Sequence, residues 1–164
     1  MFETFLCVMA ELDDASQLRL RRISERLIDG GLKGRQSKSL PYHVTLGIFP
    51  PTAEKDLLDL LASTSMEFHA FPLTYNSIGL FRMDVLFAAP NPNRELLALH
   101  RHFGGTEDAR GWTPHTTLLI DQPANLQQAI PLVSGDFETF TARVSSISLY
   151  QFQPTRFIQR ATLE

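Results

Sequence analysis

Tyr42-His43-Val44-Thr45-Leu46-Gly47-Ile48-Phe49 is a run of aromatic, β-branched and aliphatic side chains closed by Pro50-Pro51. Such a run between turn signals reads as a strand. Trp112-Thr113-Pro114-His115-Thr116-Thr117-Leu118-Leu119-Ile120 repeats the pattern and is closed by Asp121-Gln122-Pro123. Each run holds one His-x-Thr-Leu. With 5 His, 13 Thr and 24 Leu in 164 residues, about 0.06 such tetrapeptides are expected by chance. Two copies in matching surroundings therefore carry information. On a strand, side chains at i and i+2 share a face, roughly 7 Å apart. His43 and Thr45 are thus expected on one face, and His115 and Thr117 on another. Val44 and Leu46, and Thr116 and Leu118, take the opposite faces and pack beneath helices. Gly47 continues the His43 face without a side chain, which leaves room for a ligand.

Working outward, Phe2 to Met9 reads as a strand. Asp13 and Asp14 offer caps to a helix from about Ala15 to Ile28. Leu20, Ile23 and Leu27 line one face of that helix, with Arg19, Arg22 and Arg26 on a solvated one. Gly31 to Pro41 reads as a loop carrying Lys33, Arg35 and Lys38. A helix over about Ala53 to Ala62 and a strand around Glu67 to Tyr75 follow the first motif. A hairpin of Ile78–Phe81 and Val85–Ala89 comes next, then a helix to about His102 and a polar loop, Gly104 to Gly111. After the second motif the reading gives a helix, about Ala124 to Val133, and two strands, Phe137–Val144 and Ser146–Phe152. Both halves run helix, polar loop, His-bearing strand ended by Pro, helix, strand. This order predicts a single α+β domain, 1–164. It has two similar lobes of antiparallel sheet flanked by helices, with a groove between them.

Composition narrows the class. Hydrophobic residues make up 43% of the chain and Phe alone contributes 12, enough for an ordinary core. The formal charge of −3 at pH 7 argues against a protein that tracks long nucleic acid electrostatically. It leaves room for a small basic pocket. A single cysteine, Cys7, excludes an internal disulfide framework and a multi-Cys zinc site. No apolar run approaches the roughly 20 residues that span a bilayer. The expectation is a soluble, cytoplasmic, monomeric protein without membrane contact.

Two imidazoles and two hydroxyls facing one groove suit phosphodiester chemistry. A neutral His takes a proton from an attacking hydroxyl or water, and a protonated one supplies the leaving oxygen. The Thr hydroxyls hydrogen-bond non-bridging phosphate oxygens and steady the developing charge. Lys33, Arg35 and Lys38 are candidates to guide a phosphate to the groove, although a solvated loop is the commoner fate of such residues. Arg110 and Trp112 precede the second motif similarly. Trp112 is a candidate platform for a base, and equally a core residue. Alternation places Tyr42 opposite His43, as a packing residue. His100-x-His102 falls on a helix, where residues two apart diverge and make poor co-ligands. No acidic cluster accompanies His69. Neither a metal ion nor a cofactor is expected, and no Gly-rich phosphate loop with Lys is present.

HVTL at 43–46 and HTTL at 115–118 resemble the paired His-x-Thr motifs of the two-histidine (2H) phosphoesterases, in particular their 2′-5′ RNA ligase-like branch. Trp112-Thr-Pro-His115 and Leu86-Phe-Ala-Ala-Pro90 followed by Leu96-Leu-Ala-Leu-His100 are similar to the units that flank those motifs. The resemblance spans nearly the whole chain, but only the tetrapeptides are specific. It implies a bilobal α+β fold with the active site between lobes. It also implies activity on 2′,3′-cyclic phosphates, or ATP-independent, reversible 2′-5′ joining of RNA. His43 and His115 would be the acid–base pair, with Thr45 and Thr117 holding the phosphate. The expected partners are RNA termini or small cyclic nucleotides. The alternative is a module that binds nucleotides or RNA ends with weak or lost catalysis.

Overall fold

The computed structural model describes residues 3–104 and 111–164. Their elements run β1 (Phe5–Leu12), α1 (Asp14–Asp29), β2 (His43–Phe49), α2 (Glu54–Glu67), β3 (Phe71–Phe81) and β4 (Val85–Pro90). After these come α3 (Arg94–Phe103), β5 (Thr116–Ile120), α4 (Pro123–Asp136), β6 (Phe140–Phe152) and β7 (Arg156–Thr162). Among the described residues the seven strands make one sheet, in the order β2-β1-β6-β3-β4-β5, with β7 paired to β6. Every pairing is antiparallel.

The long strand β6 generates two lobes from this one sheet. Its first part, Phe140–Val144, pairs with β3. Its later part pairs with β1 on one edge and with β7 on the other. One four-stranded group is therefore β2-β1-β6-β7 and the other β5-β4-β3-β6. The two motif strands, β2 and β5, close the two ends of the path. The sheet curls until these ends meet: the Thr116 hydroxyl donates to the His43 carbonyl at 3.0 Å.

One face of the sheet is covered by helices. Leu6, Val8, Ala10 and Leu12 of β1, Val44 and Leu46 of β2, and Leu118 of β5 join a single core. Leu20, Ile23 and Leu27 of α1, Leu57 and Leu61 of α2, Leu96 and Leu99 of α3, and Leu126 and Ala129 of α4 pack into it. Each buried Leu or Ile contributes about 1.5–3 kcal/mol by leaving water. Asp13 caps α1 in extended conformation. Its carboxylate accepts from the Arg143 N–H at 2.7 Å and the Ser16 hydroxyl at 2.7 Å, which ties the helix start to β6.

Several boundaries differ from the sequence reading. β7 has no counterpart there, since it alternates no apolar face; its residues are mostly exposed and the ladder to β6 holds them. The two strands expected at 137–144 and 146–152 are one. Ser145 between them is the extra residue of a register shift against β1 at Glu11/Leu12, and the Ser146 hydroxyl donates to Glu11 at 3.2 Å. The strands at 67–75 and 78–81 are likewise one, with a register shift between Tyr75 and Ser77. Helix α2 continues past Ala62 to Glu67, with Thr64 buried on its inner face and the Ser63 and Thr64 hydroxyls satisfied within the helix by the Leu60 carbonyl, at 2.9 and 2.7 Å. A bulge between Val8 and Met9 pairs Gly47 with Val8. Gly47 therefore sits on the core side of the sheet and does not extend the His43 face.

Candidate active site

The alternation expected of the two motifs is present. Val44, Leu46, Thr116 and Leu118 are fully buried, while His43, Thr45, His115 and Thr117 are half-buried on the opposite side. His115 lies one residue before β5, directly after Pro114. Each imidazole is anchored in the same way. His43 Nδ1 lies 2.8 Å from the Pro41 carbonyl and His115 Nδ1 lies 2.8 Å from the Thr113 carbonyl. A carbonyl only accepts, so both Nδ1 atoms carry the proton. The neutral form then offers its lone pair at Nε2. Two residues far apart in the chain thus share a tautomer and a local geometry.

The surroundings of the two rings differ. His115 stands edge-on to Phe81, with centroids 4.7 Å apart, and tilted against Phe87 at 5.3 Å. Phe87 reaches that place because residue 79 has no side chain; a Cβ there would lie 2.5 Å from the ring. His43 pairs with Glu11 across β1 and β2. Burial pushes the His43 pKa below its ordinary value, and the nearby His115 adds to the fall. The Pro41 hydrogen bond and the Glu11 charge oppose it without reversing it. Under Thr45 lies Cys7, whose thiol is 3.8 Å from the Thr45 hydroxyl. Burial pushes that thiol up to about 12, so it remains a neutral donor.

A cavity of about 480 Å³ opens beside His43 and Thr117. One flank of α1, including Arg21, Ser24 and Glu25, forms a wall, and Lys38 and Tyr42 belong to the loop that crosses it. This is within the size range of small-molecule sites. Of the three basic loop residues, Lys38 reaches the cavity, while Lys33 and Arg35 do not line it. Lys33 contributes its carbonyl to the Lys38 ammonium, and the Arg35 backbone N–H donates to Ile120. Tyr42, expected as a packing residue, packs against the core and also lines the cavity.

Trp112 is stacked on His100, with centroids 3.7 Å apart and planes 6° from parallel. Its indole N–H donates to the Thr45 carbonyl at 3.0 Å, while His100 Nδ1 lies 2.7 Å from the Leu46 carbonyl. One ring face is thereby taken, and the pair pins α3 and the approach to β5 onto β2. Alternation assigns Thr116 to packing alone. It also bridges: the Tyr75 hydroxyl lies 2.7 Å from Thr116 Oγ1, which donates in turn to His43. Only the side-chain type of Thr116 could have hinted at this. Arg110 lies outside the described residues. Among the described residues, no group of three or more His, Cys, Asp or Glu is placed to hold a metal ion, and no helix is long and apolar enough to cross a membrane.

A curled antiparallel sheet whose two ends bring together paired His-x-Thr sites is the architecture of a two-histidine phosphoesterase. A model of the 2′-5′ RNA ligase superfamily matches residues 12–156. The chain belongs to that superfamily, and with it to the enzymes that act as phosphoesterases on RNA or nucleotides. Similar solved structures include LigT of E. coli complexed with 3′-AMP, at 21% identity, 96% of each chain and a TM-score of 0.64. The protein TT0787 of Thermus thermophilus is similar at 15% identity, 97% of each chain and a TM-score of 0.67. A third, described as a phosphoesterase, shares 21% identity over 98% of this chain and 99% of its own, with a TM-score of 0.59. At these identities the likeness is one of fold. No curated protein matches the chain.

Proposed function

We propose that the chain is a phosphoesterase of 2′,3′-cyclic phosphate or 2′-5′ phosphodiester ends, working by acid–base exchange between His43 and His115. The observation that carries this reading is the equivalence of the two imidazoles. Both are fixed through Nδ1 by the carbonyl two residues earlier, and they stand on strands that meet.

In the hydrolytic direction a water oxygen attacks phosphorus and its proton passes to His43 Nε2. The bond from phosphorus to one ribose oxygen breaks, and that oxygen takes a proton from the His115 imidazolium. His43 fits the basic role because its lowered pKa keeps it neutral near pH 7. Thr45 and Thr117 donate to the non-bridging oxygens. In the joining direction a 5′-hydroxyl takes the place of that water. It attacks the strained cyclic phosphate and passes its proton to His43 Nε2 while His115 protonates the departing ribose oxygen, so no ATP and no metal ion enter the scheme. The roles reverse only when a 2′-5′ bond is cleaved back to the cyclic phosphate. That LigT was crystallised with 3′-AMP and with ATP supports nucleotides as the ligands of this groove. A cytoplasmic setting belongs to the same reading, in which Cys7 stays a free, buried thiol.

The test is turnover of 2′,3′-cyclic nucleotides and 2′-5′-linked dinucleotides, with the phosphate position in each product identified. Replacing His43 or His115 by Ala is expected to lower kcat about 10²–10⁴-fold with the fold retained. Near-native turnover in both variants would end the proposal. Binding without turnover by the unmodified protein would instead make it a nucleotide-binding module.

A further inference from the structure

Beyond His43, the same face of the sheet carries a second polar construction that the proposed chemistry does not use. Glu11, 7% exposed, lies next to His43 in the β1–β2 register. Its carboxylate accepts from Ser148 at 2.6 Å and Ser146 at 3.2 Å. The Arg160 guanidinium approaches it side-on, Nε at 2.9 Å and Nη2 at 2.8 Å. The Tyr150 hydroxyl is a further partner of Arg160. Glu11 is fully occupied, but Arg160 is not. It has five N–H donors, and these contacts use three. Its side chain is 42% exposed.

Beside it on β7 is Phe157, a large aromatic ring 48% exposed. The Arg160 guanidinium carbon lies 5.1 Å above its centroid, and Tyr150 meets it edge-on at 5.4 Å. These residues belong to the groove face. Tyr150 clusters with Cys7 and Met9, and Cys7 touches Thr45. Strands in a sheet are about 4.8 Å apart. Arg160 reaches back from β7 to Glu11 on β1, which places its head roughly one strand from β2 and His43. A cation held in place by a buried carboxylate suits one phosphate. An exposed ring next to it suits one base.

Resting on the phosphoesterase reading above, we propose that Arg160 and Phe157 form a subsite for a second nucleotide. Arg160 takes its phosphate, Phe157 stacks its base, and Glu11 positions the guanidinium. The substrate class is then an RNA end at least two nucleotides long, with a free mononucleotide filling only part of the site.

The test compares the affinity of adenosine 3′-phosphate with that of an adenylyl dinucleotide carrying a 3′-phosphate, and with that of a 2′-5′-linked diadenosine monophosphate. The unmodified protein is expected to bind at least one dinucleotide about tenfold tighter than the mononucleotide. The arm that gains shows on which side of the reacting phosphate the second unit lies. Phe157→Ala is expected to bring the ratio to within about threefold. So is the paired change Glu11→Gln with Arg160→Gln, which leaves no buried charge unmatched; melting curves confirm that both variants fold. For the 3′-phosphorylated dinucleotide, salt dependence separates the two contacts. Its log–log slope should exceed that of the mononucleotide by about 0.7, an excess kept in Phe157→Ala and lost in the paired variant. Equal affinities for all three ligands overturn the subsite, and so does a preference that survives both changes. Because these are binding measurements, a collapse of the ratio supports the subsite even where cyclic nucleotides are not turned over, an outcome that sinks the phosphoesterase reading alone.

Discussion

His43 and His115 are anchored alike, each to the carbonyl two residues earlier, yet their settings are unequal, and the inequality has a measurable sign. Burial lowers the pKa of His43 below its ordinary value of 6.5. The unfolded chain therefore binds that proton more readily than the folded one. Between 6.5 and the lowered folded value, unfolding takes up the proton, so stability falls as pH falls through this window. Above 6.5 His43 is neutral in both states and contributes no slope. The same shift moves the acid limb of the rate profile. Under the proposed mechanism hydrolysis needs neutral His43, so kcat is expected to fall only when pH drops below the lowered value. Activity at about pH 6 then stays nearer its maximum than an ordinary imidazole would allow. Replacing His43 by Gln removes the titration. The loss of melting temperature between about pH 7.5 and pH 5 should be smaller in that variant than in the unmodified protein. An equal loss in both would show that His43 is not the source.

β5 shows how much a strand's sequence discloses and what it withholds. The alternation of His115, Thr116, Thr117 and Leu118 and the terminating Pro123 were readable because strand geometry and proline act locally. The partner of Thr116 was not readable. The hydroxyl that donates to the His43 carbonyl meets a residue 73 positions away, and alternation alone assigns Thr116 to packing. The same limit hid β7 and the bulge at Gly47. A strand held only by its ladder leaves no apolar period, and a bulge reverses facing without changing composition. Arg160 and Phe157 were missed for that reason, while the four motif residues were legible because side-chain type and spacing coincide in both copies. The Thr116 bridge can be tested directly. Thr116→Val keeps the volume but leaves the Tyr75 hydroxyl and the His43 carbonyl without this partner. It is expected to cost about 1–3 kcal/mol in denaturant unfolding and to lower kcat. Thr116→Ser should restore most of both. Loss of stability with kcat unchanged would mean that the bridge does not hold His43 in place.

The two lobes present a question of cooperativity, because the proposed acid and base stand on different ones. If the β2-β1-β6-β7 group opened away from β5-β4-β3, the imidazoles would separate while each motif stayed intact. Three features oppose that motion. β6 is continuous through both groups. The main core takes side chains from both, together with all four helices. The stacked Trp112 and His100 hold the Thr45 and Leu46 carbonyls from the far lobe. A boundary that cuts a shared strand and a shared core exposes much of that core's apolar surface, so a half-unfolded state has little to stabilise it. The chain is accordingly expected to melt as one domain. Calorimetric and van't Hoff enthalpies should agree, near ~0.7 kcal/mol per residue at about 60 °C. Trp112→Leu should lower the melting temperature without splitting the transition. Two separate transitions, or hydrogen exchange that frees β3–β5 while β1 and β2 stay protected, would show lobes that open independently. The reacting phosphate would then have to close them by binding to both histidines.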